Sequence, residues 1–218
     1  MINIAIDGPA GAGKSSVARA AAKKLGFIYV DTGALYRSIG VNAMRHNIPT
    51  DDRDGVTSLL PSTKLELKYI DGVQKVILNG DDVSEEIRLP EASMAASNVS
   101  AMPEVRAFLL DLQRDMAKNN HVIMDGRDIG TVILPDAQYK FFLTASAEVR
   151  ADRRFKELKE KGIEVDYRQL LDEIKQRDYN DSHRETAPLK QADDAVLIDS
   201  SNMSLEESID AIVSRIKV

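Results

Sequence analysis

The residues with the clearest chemical meaning form a glycine-rich run near the N-terminus. Residues 8–15 match G-x-x-x-x-G-K-[ST] at every defined position and lie between a predicted strand and a predicted helix. Such glycines let backbone N–H groups turn towards phosphate oxygens, and the helix start adds its dipole. Lys14 would reach the β- and γ-phosphates, and Ser15 would place its hydroxyl on Mg²⁺. Whether the phosphate moves to water, an alcohol or another phosphate stays open.

Two further segments place a hydroxyl, a turn glycine and an arginine after predicted strands. Residues 31–37 follow the second strand, and residues 125–131 follow the third. Ligands of α/β sheets bind at the carboxyl ends of strands, and a guanidinium can donate two parallel hydrogen bonds to phosphate. For each segment alone, an arginine that is simply exposed to solvent is as good an explanation as a phosphate site. Two of them beside the phosphate loop favour a second anion site.

Charged residues also cluster on predicted helices. Arg150, Arg153 and Arg154 can share one broad helix face, which is either solvated or part of a lid over polyphosphate. One face of a later predicted helix can carry three more charged residues, which are Arg177, Asp181 and Arg184. A binding site and a simple ladder of surface ion pairs are equally good explanations for them.

The number of arginines bears on the reaction. An alcohol acceptor usually needs a carboxylate base, whereas a nucleoside monophosphate is mostly dianionic because its second pKa is about 6. Such an acceptor needs positive charge that holds two repelling anions in line and away from water. These features favour transfer from phosphate to phosphate. The alternative from another class is an ATP-hydrolysing switch that regulates a protein partner, but a switch needs no second phosphate pocket.

The elements that must position these residues follow an α/β rhythm. Short apolar runs predict buried parallel strands at residues 2–6, 27–30, 121–124, 139–143 and 195–198. Apolar stripes and caps predict helices at residues 14–25, 103–118, about 147–160, from about 166 past 177, and from about 204 to the chain end. Together they predict a doubly wound, five-stranded parallel sheet flanked by helices.

One segment departs from this rhythm. Residues 64–70 alternate polar and apolar side chains, and a second apolar run covers residues 73–78. Asp71-Gly72 and Asn79-Gly80 are hairpin turn patterns that follow these two runs. We expect a small antiparallel meander inserted into the larger domain.

Composition excludes several classes of protein. The chain has 218 residues, of which 43% are hydrophobic and 29% charged, as in an ordinary globular protein. A net charge of −6 argues against a main role in binding nucleic acid or an anionic membrane. The absence of cysteine and the three scattered histidines argue against a disulfide framework and against a Cys- or His-rich metal site. Without an 18-residue apolar run or a signal-like N-terminus, we expect a cytoplasmic protein.

Several stretches together carry a family resemblance. They are residues 6–9 with the phosphate loop, 31–37, 78–88, 96–97, 103–106, 125–131 and 177–189. Over nearly its whole length the chain resembles the bacterial cytidylate kinases, which are nucleoside monophosphate kinases. The phosphate loop alone occurs in many folds. The run Gly-Arg-Asp-x-Gly-Thr combined with the inserted meander is far more specific.

The resemblance implies one kinase domain over residues 1–218 with the P-loop nucleoside monophosphate kinase fold. Its parts would be a core with the phosphate loop (8–16), a monophosphate-binding region (about 33–106, with a β insert at about 64–83) and a helical lid (about 150–170). The implied reaction is Mg²⁺-assisted transfer of the ATP γ-phosphate to CMP or dCMP in pyrimidine nucleotide metabolism. ATP and CMP or dCMP would be the partners of a monomer. Kinases for UMP, AMP or shikimate are the close alternatives.

The resemblance also implies roles on the ATP side. The ATP-binding loop residues would be Gly8, Pro9, Ala10, Gly11, Ala12, Gly13, Lys14, Ser15 and Ser16. Arg154 would also contact ATP, and Ser15 would hold Mg²⁺ together with the ATP phosphates. The implied catalytic residues are Lys14, Arg127, Arg150 and Arg153. We expect the lid to close on both nucleotides, because its arginines would otherwise lie too far from the phosphate loop.

On the acceptor side, Thr32, Arg37 and Arg127 would hold the CMP phosphate, with Arg184 at its end. The residues assigned to the sugar are Arg177 and Asp181. The residues assigned to the base are Ser97, Arg106 and Asp128. Cytosine offers an amino donor beside two acceptors, so a carboxylate can accept while an arginine and a serine donate. Uracil would place a carbonyl against the carboxylate.

Overall fold

The computed structural model describes residues 1–70 and 73–217. The chain divides into two compact units. The first contains Met1–Tyr29 and Asn119–Val218, and the second contains Val30–Lys118. The predicted turn at Asp71-Gly72 lies outside the described residues.

The elements alternate as an α/β chain does. The strands are β1 (Asn3–Asp7), β2 (Ile28–Asp31), β3 (Leu65–Ile70), β4 (Val73–Leu78), β5 (Asp81–Asp82), β6 (Val122–Gly126), β7 (Tyr139–Thr144) and β8 (Val196–Asp199). The helices are α1 (Lys14–Leu25), α2 (Thr32–Arg45), α3 (Arg53–Leu59), α4 (Pro90–Ser100), α5 (Pro103–Asn119), α6 (Ala147–Glu160), α7 (Tyr167–His183) and α8 (Leu205–Val213). One π-helical turn covers Ile129–Ile133.

The predicted five-stranded parallel sheet is confirmed, with strand order β2-β6-β1-β7-β8. Strand β1 is central: Ile4 lies opposite Ile123 on one side and Tyr139 on the other. Its carboxyl end therefore lies between those of β6 and β7. The phosphate loop and the segment after β6 consequently leave the sheet at the same edge.

The core of the first unit explains why these apolar runs form strands. Ile4, Ile6 and Phe141 are buried in the sheet, and Val17 of α1 and Ile212 of α8 belong to the same cluster. Burying one such side chain contributes about 1.5–3 kcal/mol relative to leaving it in water. The sheet is thereby held as a stiff platform under the phosphate loop.

Three helix ends in the first unit lie close to the predicted boundaries, and each has a local cap. Gly26 ends α1 in the left-handed conformation, with φ 71°. Asp166 accepts a hydrogen bond from the Gln169 N–H at the start of α7. Ser204 and Glu207 form a reciprocal capping box at the start of α8.

The prediction that α8 reaches the chain end is wrong. The helix ends at Val213, and the chain then turns back to the sheet. The hydroxyl of Tyr139 accepts from the Lys217 N–H and donates to the Lys217 carbonyl, while Ile216 is buried in the core. The backbone after the helix also changes its hydrogen bonding, because the Arg215 and Ile216 N–H groups donate to carbonyls three residues back, each at 3.1 Å.

The second unit contains three helices that the sequence pattern did not predict, namely α2, α3 and α4. All three contribute to one apolar cluster, in which Leu35 of α2 and Val56 of α3 lie with Val99 of α4. Asp31 caps α2 by accepting from the Ala34 N–H at 2.9 Å. Gly33, which was expected in a turn, therefore lies in the first turn of α2.

The predicted meander is confirmed as a three-stranded antiparallel sheet in the order β3-β4-β5. Leu65 and Leu67 of β3 pack against the apolar core of the second unit. Asn79 and Gly80 both have positive φ in the turn between β4 and β5. In the described residues, no helix is long and apolar enough to cross a membrane.

Candidate active site

The phosphate loop links β1 to α1, as predicted. Gly8, Gly11 and Gly13 all have positive φ, and Gly13 precedes the first helical residue. Gly8 is also required for space, because a Cβ there would lie 2.0 Å from the Leu143 carbonyl oxygen. The loop thus turns its backbone tightly over the end of β7 and leads into a helix N-terminus.

Lys14 lies inside this loop. Its side chain is 5% exposed, and its Nζ donates to the Pro9 carbonyl at 2.7 Å. Burial, followed by the nearby Arg127 charge, lowers the pKa of Lys14 from 10.5 to about 7. An anion at this position would favour the charged ammonium, so the loop is suited to a highly charged phosphate.

The hydroxyl of Ser15 lies against a carboxylate that the sequence analysis did not single out. Ser15 Oγ donates to Asp125 Oδ2 at 2.8 Å, and the Tyr29 hydroxyl donates to Asp125 Oδ1 at 2.9 Å. Asp125 lies in β6 and is buried. A hydroxyl and a carboxylate oxygen are the hard ligands that Mg²⁺ takes, with phosphate oxygens and water completing its shell. The pair therefore fits Mg²⁺.

Asp7, the last residue of β1, holds the segment that follows β6. Its two carboxylate oxygens accept from the N–H groups of Ile129 and Gly130, each at 2.7 Å. Burial raises the pKa of Asp7 to about 6, although both hydrogen bonds act in the opposite direction. The anchored turn presents the two preceding side chains, Arg127 and Asp128.

Arg127 is paired with α7. Its Nε donates to Asp181 Oδ2 at 2.8 Å, and the Asp181 side chain is 6% exposed. Burial acts to raise the pKa of Asp181, but Arg127 and the charges of Arg177 and Arg184 hold it below its usual value. This part of α7 therefore forms a buried ion pair and not a ladder of exposed surface pairs.

Asp128 is paired with the end of the same helix. Arg184 Nη2 lies 3.6 Å from Asp128 Oδ1, and both side chains are buried. Arg184 Nε also donates to the Ala187 carbonyl at 2.8 Å. The structure thus brings Arg127, Asp128, Asp181 and Arg184 together in the first unit, with Arg177 close enough to act on the Asp181 charge.

Arg150 is built into the phosphate loop. Its guanidinium donates to the Ala10 carbonyl at 3.0 Å and to the Ala145 carbonyl at 2.9 Å. It also pairs with both carboxylate oxygens of Asp178, at 2.9 and 2.5 Å. We call these hydrogen bonds the Arg150 brace, and they hold the guanidinium against the phosphate loop. The expectation that the lid arginines lie far from the loop is therefore wrong for Arg150.

The other two arginines of the cluster diverge from Arg150. Arg153 donates to the Ser200 carbonyl at 2.7 Å, in the segment after β8. Arg154 pairs with Glu157 on the same helix at 2.8 Å. The three share a broad helix face as predicted, but their guanidinium groups are directed to different partners.

Four predicted acceptor residues lie in the second unit. Thr32 is 2% exposed in the first turn of α2, and Arg37 pairs with Asp31 at 2.9 Å. Arg106 of α5 is buried, with its guanidinium 5.7 Å from the centre of the Tyr36 ring. It also donates to the Ser100 carbonyl at 3.3 Å. Ser97 is half-buried on α4.

The sequence profile described as cytidylate kinase matches residues 4–218. The chain belongs to the cytidylate kinase family. A cytidylate kinase from Caldicellulosiruptor saccharolyticus is 57% identical over 212 residues, which cover 97% of this chain and 94% of that relative. The cytidylate kinase from Clostridium botulinum strain Hall is 49% identical over 216 residues, covering 99% and 98%. As a member of this family, the chain is a phosphotransferase.

One solved structure supports the fold alone. A crystal structure of an uncharacterized protein from Eubacterium ventriosum superposes with a TM-score of 0.51 at 14% identity, covering 98% of this chain and 97% of that chain. The α/β fold of this cytidylate kinase family member thus also occurs in that protein.

Proposed function

We propose that this chain transfers the γ-phosphate of ATP to CMP and dCMP, giving CDP and dCDP. The observation that supports it best lies in the first unit. There the phosphate loop with Lys14 and the turn carrying Arg127 and Asp128 leave adjacent strands of one sheet. Asp7 ties the turn directly to the strand that begins the loop. A donor anion site and an acceptor-reading turn thus share one rigid support.

On the ATP side, residues 8–16 wrap the phosphates with backbone N–H groups, and Lys14 neutralises the β- and γ-phosphates. Ser15 and Asp125 would hold Mg²⁺, and the ion would offset negative charge on the transferring group. Arg154 and Arg153 contribute further positive charge from α6. Arg150 fixes the loop through the Ala10 carbonyl, so its first contribution is to hold the loop in shape.

Transfer needs an acceptor oxygen held in line with the γ-phosphate, and no strong base is required because the CMP phosphate is already mostly dianionic. In the first unit, Arg127 neutralises charge on the acceptor phosphate. Asp181 holds Arg127 through Nε, which leaves the terminal nitrogens of the guanidinium to face phosphate.

The remaining acceptor contacts come from both units. Arg177 and Asp181 contact the sugar, and Arg184 contacts the end of the phosphate. In the second unit, Thr32 and Arg37 bind the acceptor phosphate.

Base selection follows from the donor and acceptor pattern of cytosine. Asp128 accepts from the amino group, and Arg106 and Ser97 donate to the ring acceptors. A buried carboxylate facing the uracil carbonyl instead would leave two acceptors opposed without a proton between them. The selection against UMP therefore comes mainly from repulsion at Asp128.

The experiment that tests the function is a coupled assay of ADP release from Mg-ATP. It is run with CMP, dCMP, UMP, AMP, shikimate and no acceptor. Strong turnover confined to CMP and dCMP would support the proposal. Equal turnover with and without acceptor would instead indicate an ATPase switch, and preference for another acceptor would overturn the base assignment.

Replacing Asp128 with asparagine tests base reading directly. We expect kcat/KM for CMP to fall by about tenfold to a hundredfold, because a charged acceptor for the cytosine amino group is lost. The ratio of UMP to CMP turnover should rise, since the amide can donate to a uracil carbonyl. Steady-state kinetics with both acceptors measure this change.

The exposed Asp136 supplies the matched control for that substitution. Asp136→Asn removes the same charge eight positions along the chain and should leave both acceptors unaffected. If Asp128→Asn lowered CMP and UMP turnover by the same factor, Asp128 would serve only to pair Arg184, and the base-reading role would be refuted.

A further inference from the structure

The guanidinium of Arg37 is held in a small cradle at the start of α2. Arg37 Nη2 donates to Asp31 Oδ2 at 2.9 Å, while Asp31 Oδ1 accepts from the Ala34 N–H at 2.9 Å. One carboxylate therefore begins the helix with one oxygen and fixes the arginine with the other. Both side chains are half-buried, so the pair is partly protected from water.

Gly33 forms the floor of this cradle. It precedes Arg37 by one helical turn, so a side chain at position 33 would share the face of Arg37. A Cβ at Gly33 would lie 3.0 Å from Arg37 Nη1 and 3.2 Å from Asp31 Oδ1. A methyl group at position 33 would therefore crowd the guanidinium, which would have to move by a few tenths of an ångström.

The backbone gives no reason for a glycine at this position. Gly33 lies in α2 and has no positive φ, in contrast to Gly8, Gly11 and Gly13. Glycine within a helix is less stable than alanine, because it loses more conformational freedom on folding. The close approach of Arg37 and Asp31 is a physical reason for a glycine here.

We infer that Gly33 is a positioning residue for the acceptor phosphate: its missing side chain lets the Arg37 guanidinium lie against the helix, held by Asp31. This inference rests on the proposed role of Arg37 in binding the CMP phosphate. It assigns to Gly33 a function that neither its conformation nor its helix propensity explains.

The test is Gly33→Ala. The added methyl pushes Nη1 away, and we expect KM for CMP to rise by about tenfold, as for a displaced charge-assisted hydrogen bond. KM for ATP should stay unchanged, and Tm should be equal or higher because alanine favours the helix. A merely structural role would instead lower Tm and leave the ratio of the two KM values unchanged.

Gly40→Ala is the matched control on the same helix. There a Cβ would lie 2.5 Å from the Ala95 Cβ in the packed interior, so this variant should lower Tm. The same substitution in one helix is thus expected to have opposite effects on stability at the two positions.

A double-mutant cycle with Arg37→Ala separates the inference from the function beneath it. With Arg37 truncated, Gly33→Ala should add nothing to KM for CMP. If Arg37→Ala alone left KM for CMP unchanged, the proposed role of Arg37 would fail. If Arg37→Ala raised KM but Gly33→Ala did not, or did so equally in both backgrounds, the role of Gly33 would be overturned while that of Arg37 stood.

Discussion

Replacing Lys14 with methionine is expected to lower kcat for transfer to CMP by about a hundredfold to a thousandfold. The ammonium is the positive group that the loop carries in its interior, and methionine has a similar length but no charge. The loss of stability should be small. Burial lowers the pKa of Lys14 to about 7, so keeping the ammonium charged in the folded state costs free energy, and the hydrogen bond to the Pro9 carbonyl offsets part of that cost. We therefore expect Tm to be nearly unchanged, which steady-state kinetics and thermal melts on one preparation would show.

Lys24→Met is the control for that experiment. Lys24 lies on the same helix, is exposed and pairs with Asp210 on the surface. Its removal takes away the same charge without touching the loop, and activity should be retained. A Lys14→Met variant with normal kcat would refute the role of Lys14, and one that failed to melt cooperatively would show that its charge is needed for the fold.

Asp125→Asn is expected to lower kcat by about a hundredfold at ordinary Mg²⁺ and to shift the Mg²⁺ concentration for half-maximal rate upwards. The amide keeps the shape of the carboxylate, but it has a single acceptor oxygen, so only one of the two hydroxyls, of Ser15 or Tyr29, can still donate to it. The substitution also removes the negative charge that favours a divalent cation. The measurement is the initial rate against free Mg²⁺ at a fixed concentration of ATP.

Tyr29→Phe is matched to Asp125→Asn because it removes one hydrogen bond to the same carboxylate and leaves the charge in place. Its Mg²⁺ dependence should stay close to that of the unmodified enzyme. A parallel loss of rate in both variants, with no shift in Mg²⁺ dependence, would mean that Asp125 only orients Ser15 and Tyr29.

The parts of the fold that could be predicted are those with a local physical cause. The strands are continuous apolar runs, and α1 ends at Gly26 because only a residue that tolerates positive φ fits there. Helices α2 and α4 were missed because their local sequence signals are weak. Thr32 and Gly33 open α2 with weak helix formers, and α4 is mostly small residues whose pattern marks no apolar stripe.

The phosphate loop was predictable as well, because its motif is contiguous and its function resides in the backbone. The pairings around it were not. Ser15 meets Asp125 across 110 residues, and Arg127 meets Asp181 across 54. Helical spacing placed Arg150, Arg153 and Arg154 on one face, but a long flexible side chain goes to the nearest partner that compensates its charge. Those partners are set by tertiary packing, which spacing does not reveal.

The brace formed by Arg150 also bears on how the chain is made. Ala10 lies 140 residues before Arg150, and Asp178 lies 28 residues after it. Synthesis proceeds from the N-terminus, so the glycine-rich loop emerges early and both of its supports emerge late. A chain still on the ribosome therefore carries that loop without its brace until α7 has been completed, so the anion pocket can take its final shape only after most of the chain has been made.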